Sequence, residues 1–470
     1  MAIDLHAARP TRVSYHRLGD RQGRKRIYLE NRTVAYAGFE IGARYRVEAN
    51  EAAGTLSILL DENGPRIVTR RERLAGMIPV IDVKGSDALD SIAAEAERAR
   101  VEYGSGKIVV RIHADHLREV SRRKRVQANV ASGKPLSIVS LCTGIGVLDH
   151  AVTTGMQDAG ISARVALAVE VNENVIEQAA VASDRFAPDA TLVLGRLQDL
   201  DLDLVPEADM VIAGLPCTGA SLAGRGARHG ADPEAHPEAG VLFMSFLDVI
   251  RRAQPGVVVL ENVASYANTA GMLAIRAALE LWGYNLSERI LDGSQMGDLE
   301  ARRRLCMVAV TNGFAFDAAA IVPARAKPAT LGVLLEDIGP DSARWEKREA
   351  LDRKAERDAA KGNNFKLQHV DATSTSVPTM TAGYARWRTC DPRILHPTRE
   401  GVRRLLTPRE HARVKGVPEC LIAGMPEPQA HEALGNSVTY YAFVAVGRAI
   451  AMSLLAPIAA RVTALSLFAA

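Results

Sequence analysis

From Pro135 onward, short apolar runs alternate with longer segments whose apolar residues recur at helical spacing. The runs 136–141, 165–169, 210–213, 257–260 and 305–310 are predicted strands, and 173–182 and 240–253 are predicted helices between them. That rhythm predicts an α/β fold, a parallel, doubly wound sheet with helices on both faces. Between residues 314 and 397 it stops. Prolines, a charged helix-like stretch (344–361) and a polar run (363–381) replace it, which predicts an inserted smaller domain. Helical patterning returns from Gly401. Residues up to about Lys134 have another texture: short alternating runs near Arg26, Arg44, Thr55 and Lys107, with glycine and asparagine turns, and a predicted helix over 87–101. The expected domains are therefore a β-rich accessory domain (1–134), an α/β core (135–313), the insert (314–400) and helices completing the core (401–470).

At 470 residues the chain exceeds one ordinary core, in keeping with that division. A hydrophobic share of 47% with 24% charged residues excludes a disordered chain. The formal charge of +3 permits a nucleic-acid partner without requiring one. Three basic clusters, at 24–26, 70–73 and 122–125, are candidate phosphate contacts, with solvated faces the alternative. Five scattered cysteines without a Cys-x-x-Cys pair disfavour disulfides or zinc and suit a reducing cytoplasm, so no metal site is expected. The apolar tail from Val438 is interrupted by Arg448, Pro457 and Arg461 before about 20 clean residues accumulate, which predicts packed helices and no membrane contact.

The chemistry gathers at predicted strand ends. Ser140-Leu141-Cys142-Thr143-Gly144-Ile145-Gly146 follows the first strand, and Glu170 closes the second. Glycines there let a ligand approach backbone and helix N-terminus, while an acid ending the second strand accepts ribose hydroxyls, the arrangement of nucleoside-cofactor sites. Pro216-Cys217 follows the run 210–213, and Glu261-Asn262-Val263 ends the run 257–260. A thiol and a carboxyl on neighbouring strand ends are equipment for adding to an electron-poor ring and protonating it. The glycine-rich basic stretch after Ser221, which includes Arg225, is long enough to close over a substrate.

In order and spacing these motifs, with Glu300-Ala301-Arg302-Arg303-Arg304, Pro378–Ala382, Leu406–Arg413 and Gly435-Asn436-Ser437-Val438, resemble the cytosine-5 DNA methyltransferase family over about 135–451. The resemblance implies a Rossmann-like methyltransferase sheet, S-adenosyl-L-methionine as cofactor and double-stranded DNA as partner. It makes Cys217 the nucleophile at carbon 6 of a flipped cytosine and Glu261 the group at ring nitrogen 3, supported by Arg302 and Arg304. Cys142, Gly144, Gly146, Glu170, Asp199, Pro216, Asn436 and Ser437 would bind the cofactor. The insert would be the target-recognition region, with Ser221, Arg225, Arg386 and Arg388 toward substrate; Lys361, Asn363, Asn364, Lys366, Gln368 and Trp387 could also read bases or phosphates.

Several positions depart from the family pattern. Cys142 stands for an aromatic, Ser140 for an acid, Thr218 for the glutamine after the nucleophile, Glu300 for the glutamine opening the arginine motif, and Arg196 for an adenine-binding aspartate, Asp199 being the nearest acid. Residues 37–47 resemble the turn of AbrB-type swapped-hairpin DNA-binding domains. The expected state is a monomer, with a dimer through the N-terminal domain the alternative. Competing functions are a cytosine-5 tRNA methyltransferase, a catalytically silent DNA-binding regulator and a dinucleotide oxidoreductase; the last leaves Pro216-Cys217 unexplained.

Overall fold

The computed structural model describes residues 11–30, 32–51, 53–74, 76–93, 96–216, 241–360, 362 and 367–468. The chain divides into two compact units, Met1–Ser121 and Arg122–Ala470.

In the first unit ten short strands are described: β1 (Arg12–Arg17), β2 (Gly19–Arg21), β3 (Arg24–Glu30), β4 (Arg44–Asn50), β5 (Thr55–Leu60), β6 (Arg66–Ile67), β7 (Thr69–Arg73), β8 (Gly76–Lys84), β9 (Arg98–Gly104) and β10 (Lys107–Ile112). They form two antiparallel sheets, ordered β1-β9-β10-β5-β4-β6 and β2-β3-β8-β7. Alternation decides the faces. Ala99, Val101, Tyr103, Ile108, Val110, Leu56 and Ile58 are buried, while their strand neighbours Arg98, Arg100, Lys107 and Arg111 are exposed. Here one expectation is corrected. The helix predicted over 87–101 ends at Ala93, as α2 (Asp87–Ala93), and Arg98-Ala-Arg-Val-Glu-Tyr is strand, because its true period is two. Residues 37–47 run from α1 (Arg32–Tyr36) through a turn into β4.

Helix α3 (Ala114–Ser132) contains the boundary between the units, earlier than the change of texture at Lys134. The reason is local. Arg122 donates to Thr311 Oγ1 at 2.7 Å and to the Gly283 carbonyl at 3.0 Å, and Arg125 reaches Asp209 and the Ala208 and Gln254 carbonyls, so the second half of α3 is stapled to the second unit.

There, seven described strands form one sheet: β11 (Leu136–Leu141), β12 (Ala163–Glu170), β13 (Phe186–Leu194), β14 (Met210–Gly214), β15 (Val257–Val263), β16 (Tyr284–Asp292) and β18 (Arg303–Thr311), in the order β13-β12-β11-β14-β15-β18-β16. Helices α4 (Val147–Asp158), α5 (Glu173–Ala182) and α11 (Tyr440–Phe468) bury one face; α6 (Leu242–Ala253) and α7 (Ala270–Leu281) bury the other. The sheet is doubly wound but not wholly parallel. β18 pairs antiparallel with both β15 and β16, because a short connection from β16 returns the chain as a hairpin into the slot beside β15. The edge strand β13 was not anticipated; it is largely exposed and lacks the continuous apolar run of a buried strand.

The insert, together with Val402–Arg404 just beyond its expected end, builds a four-stranded sheet, β19-β23-β22-β20, from Glu346–Lys347, Val402–Arg404, Pro392–Leu395 and Gln368–Val370, beside α8 (Glu349–Ala360). Two-residue strands β17 (Glu300–Ala301) and β21 (Val377–Pro378) pair in parallel and join it to the arginine motif. Helices α9 (Pro408–Val414) and α10 (Glu427–Asn436) follow. The tail expected to form packed helices is the single helix α11, running through Pro457. It is long and apolar enough to cross a membrane by length and composition, yet its first half is core. A Cβ on Gly447 would stand 2.0 Å from the Val152 carbonyl oxygen, and one on Gly155 1.9 Å from that of Val444, so α4 and α11 touch backbone to backbone.

Candidate active site

β11 is the point where strand order reverses, its neighbours being β12 on one side and β14 on the other. A crevice opens at such a switch point beyond the carboxyl ends of the strands. The loop lining it bends sharply: Cys142, Gly144 and Gly146 have φ of 54°, 58° and 74°. The glycines adopt this left-handed conformation without strain, whereas Cys142 carries it at a cost. A Cβ on Gly144 would meet nothing within 4 Å, so the backbone is open to a ligand. Glu170 organises the crevice. Its Oε2 accepts the Gly144 N–H at 2.9 Å, and its Oε1 accepts those of Val171 and Asn172 at 2.9 and 3.1 Å. Burial, helped by Glu170, pushes the Cys142 thiol up to about 12, so it stays a thiol. Donor-lined backbone, an acid at the second strand end and open space above Gly144 fit an adenosine-bearing cofactor.

Asp199 is exposed and grips Arg196 through both oxygens, at 2.7 and 3.1 Å. The residue standing in the aspartate position thus neutralises the nearest acid. Asn436 is exposed, and the Ser437 hydroxyl donates to the Leu434 carbonyl at 2.8 Å.

Two strands deliver the second half of the site. β14 and β15 run parallel with Gly214 opposite Glu261, and the Asn262 amide donates to the Leu215 carbonyl at 3.2 Å. Pro216 is exposed just beyond. A Cβ on Gly214 would lie 3.8 Å from both Glu261 Oε2 and the Cys142 carbonyl oxygen, so carboxyl, glycine loop and Pro216 share one corner. Cys217, Ser221 and Arg225 lie outside the described residues, as do Lys361, Asn363, Asn364 and Lys366.

Arg304 Nε stands 3.1 Å from Glu261 Oε1. Burial raises the Glu261 carboxyl above its usual range, and Arg304, Arg302 and Lys415 pull it back only in part. Arg302 does not touch the carboxyl. It donates to the Gly435 and Met380 carbonyls at 2.8 and 3.3 Å, tying the arginine motif to α10 and the insert. Gly435 has no room for a side chain, since a Cβ would lie 2.4 Å from the Thr381 carbonyl.

Beneath lies a residue that the sequence reading missed. Lys415 Nζ meets Glu300 Oε2 at 2.7 Å, both side chains fully buried, and Glu300 Oε1 accepts the Met380 N–H at 2.9 Å. Burial, aided by Arg302, lowers the ammonium to about 7. Burial alone would raise Glu300, but Lys415 and Arg302 more than offset it and hold the carboxyl below its usual range. The available signal was Glu300 itself: a carboxylate within a buried motif demands a cation. Arg386 and Arg388 are exposed on the insert, flanking Trp387, whose ring lies 4.5 Å below the Arg348 guanidinium.

Sheet, crevice and paired acid define a Rossmann-like methyltransferase. Residues 136–454 match the family of C-5 cytosine-specific DNA methylases, and the chain belongs to that family. It is an S-adenosyl-L-methionine-dependent enzyme that methylates carbon 5 of cytosine in DNA. Among curated relatives, the Type II methyltransferase M.HpaII of Haemophilus parainfluenzae is 27% identical over 267 residues, 52% of this chain and 73% of that protein. M.DsaV of Dactylococcopsis salina is 28% identical, covering 56% and 72%. The solved structure of the S. pombe Dnmt2 methyltransferase covers 69% of this chain and 99% of its own, with 19% identity and a TM-score of 0.55, a likeness of fold.

Proposed function

We propose that Cys217 is the nucleophile and Glu261 its acid partner in double-stranded DNA, the enzyme acting as the modification half of a restriction–modification pair. The observation that carries this is the corner shared by Gly214, Glu261 and Arg304, Gly214 standing three residues before Cys217 in the sequence. The cytosine must leave the stack to reach it, at a cost of roughly a few kcal/mol. The Cys217 thiolate adds to carbon 6, and the electron pair displaced from the 5,6 double bond is delocalised toward ring nitrogen 3. Glu261, kept protonated further toward neutrality by burial, hydrogen-bonds that nitrogen, and Arg304 fixes the carboxyl's orientation. S-adenosyl-L-methionine, when bound, supplies the electrophilic methyl group that carbon 5 takes up. Loss of the carbon 5 proton then expels the thiolate and restores the ring.

Among the described cysteines, burial raises the thiols of Cys142, Cys306 and Cys390, and so disfavours each as the reacting thiolate. Glu170 and the Gly144 backbone hold the nucleoside part of the cofactor; Arg386, Trp387 and Arg388 face the target. The enzyme is taken to act as a cytoplasmic monomer, a dimer through the N-terminal domain being distinguished by sedimentation. The test is duplex DNA carrying 5-fluorocytosine, presented with labelled cofactor beside unmodified duplex and total tRNA. A covalent adduct and label in duplex DNA, both abolished by Cys217→Ser, are expected. Label in tRNA alone, or an adduct surviving Cys217→Ser, overturns the assignment.

A further inference from the structure

Six arginines of the three basic clusters visible in the sequence are held within the chain. Arg24 is held by Asp87 and Asp90, Arg26 by Asp82, and Arg71 and Arg73 both by Glu30, while Arg122 and Arg125 staple α3. The exposed cations that stand together come from scattered positions. On the outer face of the six-stranded sheet, Arg17 of β1 lies opposite Arg98 of β9, and Tyr15 opposite Arg100, which lies opposite Arg111 of β10. Lys107 projects from the same side of β10, two pleats along.

One carboxylate in these rows answers them: Glu102, shared by Arg100 at 3.1 Å and Arg111 at 3.2 Å. Glu48 and Asp61, farther along the sheet, are taken by Arg46, and Asp115 by Arg118 and His113. Among the described residues no carboxylate pairs with Arg17, Arg98 or Lys107. Residues 1–121 contain 20 Lys and Arg against 17 Asp and Glu, so this unit carries the chain's whole formal charge of +3. On this face the imbalance is larger still, five cations against one shared acid. Tyr15 is 61% exposed among them, its ring edge-on to His113 at 5.6 Å.

We propose that this sheet face binds the phosphate backbone of duplex DNA. It rests on DNA being the enzyme's substrate and adds a second, sequence-independent contact to it. Neighbouring strands lie about 5 Å apart and positions two residues along a strand about 7 Å apart, so the side chains on this face start from closely spaced points, a density of positive charge suited to a polyanion. Phosphate contacts release counterions, so affinity through this face falls steeply with salt.

The experiment uses the full chain and a fluorescent duplex, titrated between 50 and 200 mM salt, with phosphatidylserine vesicles and single-stranded DNA as parallel arms. The logarithmic salt slope falls by about 0.9 per phosphate contact removed, hence by about 2 to 3 in Arg17→Gln/Arg98→Gln/Lys107→Gln, the three face cations that no carboxylate holds among the described residues. Replacing Arg17 and Arg98 by lysine keeps the slope, and so does Arg71→Gln/Arg73→Gln, whose arginines are already paired with Glu30 as Arg100 and Arg111 are with Glu102. Melting curves verify that the variants fold. An unchanged slope in the glutamine triple, or a loss confined to vesicles or to single strands, overturns the proposal. Measuring the slope again in Cys217→Ser separates it from the chemistry, because that change removes methyl transfer and leaves the slope.

Discussion

Lys415 and Glu300 form an ion pair of 2.7 Å with no exposure on either side chain. Through the Met380 N–H and the Ser437 carbonyl it joins the arginine motif, the insert and the Gly-Asn-Ser-Val segment. Breaking a buried pair from one side strands a charge, which costs about 3–5 kcal/mol, whereas removing both charges costs far less. Lys415→Gln alone is therefore expected to unfold at much lower urea, and Glu300→Gln/Lys415→Gln to regain most of the loss. Denaturant midpoints of the double-mutant cycle read this directly; additive losses would show that the two side chains act independently.

Arg304 lowers the Glu261 carboxyl from the higher value that burial imposes. Removing that cation raises it further. In Arg304→Gln, the alkaline limb of kcat/KM that reports loss of the Glu261 proton is expected to move to higher pH, with a rate loss of about 10²-fold or more from misorientation. A pH–rate profile of methyl transfer measures both. A limb displaced to lower pH would contradict the assignment.

His411 and His431 meet Nδ1 to Nδ1 at 3.0 Å with no exposure, the contact of two neutral imidazoles in which one Nδ1–H donates and the other Nδ1 accepts. Burial lowers His431 to about 4 and His411 well below its ordinary value. Tyr384 packs tilted against both rings, Glu427 approaches His431 at 3.8 Å, and the Lys415 and Arg302 charges oppose protonation of His411. With folded values below unfolded ones, the unfolded chain binds more protons, so stability falls as pH drops from about 6.5 toward 4. The difference in unfolding free energy between pH 6.5 and 4.5 is expected to shrink by about 2–3 kcal/mol in His431→Gln, read by urea titration.

Gly447 and Gly155 let α4 and α11 approach until backbone meets backbone. A methyl group at Gly447 needs space that the Val152 carbonyl already fills. Gly447→Ala is expected to cost about 3 kcal/mol or more, while Ala451→Gly, also on α11, costs about 1 kcal/mol through helix propensity and lost packing. Calorimetric melting temperatures rank the two.

The strands β11, β12, β14, β15 and β18 and the positions of Glu170, Glu261 and Pro216 were legible because continuous apolar runs end where the chemistry begins. Composition misled at 98–101, where the helix-favouring Ala, Glu and Arg continue past Ala93 although the buried positions alternate with a period of two. What the chain alone determined is the local grammar: which segments bury both faces, and which reactive residue closes each strand. Only the tertiary structure decided that β18 runs antiparallel, that Glu300 is answered by Lys415, and that most arginines of the conspicuous clusters are held within the chain while scattered arginines gather on one sheet face. Hydrophobic period acts between neighbours in sequence; a charge finds its partner through space, across separations that no local pattern records.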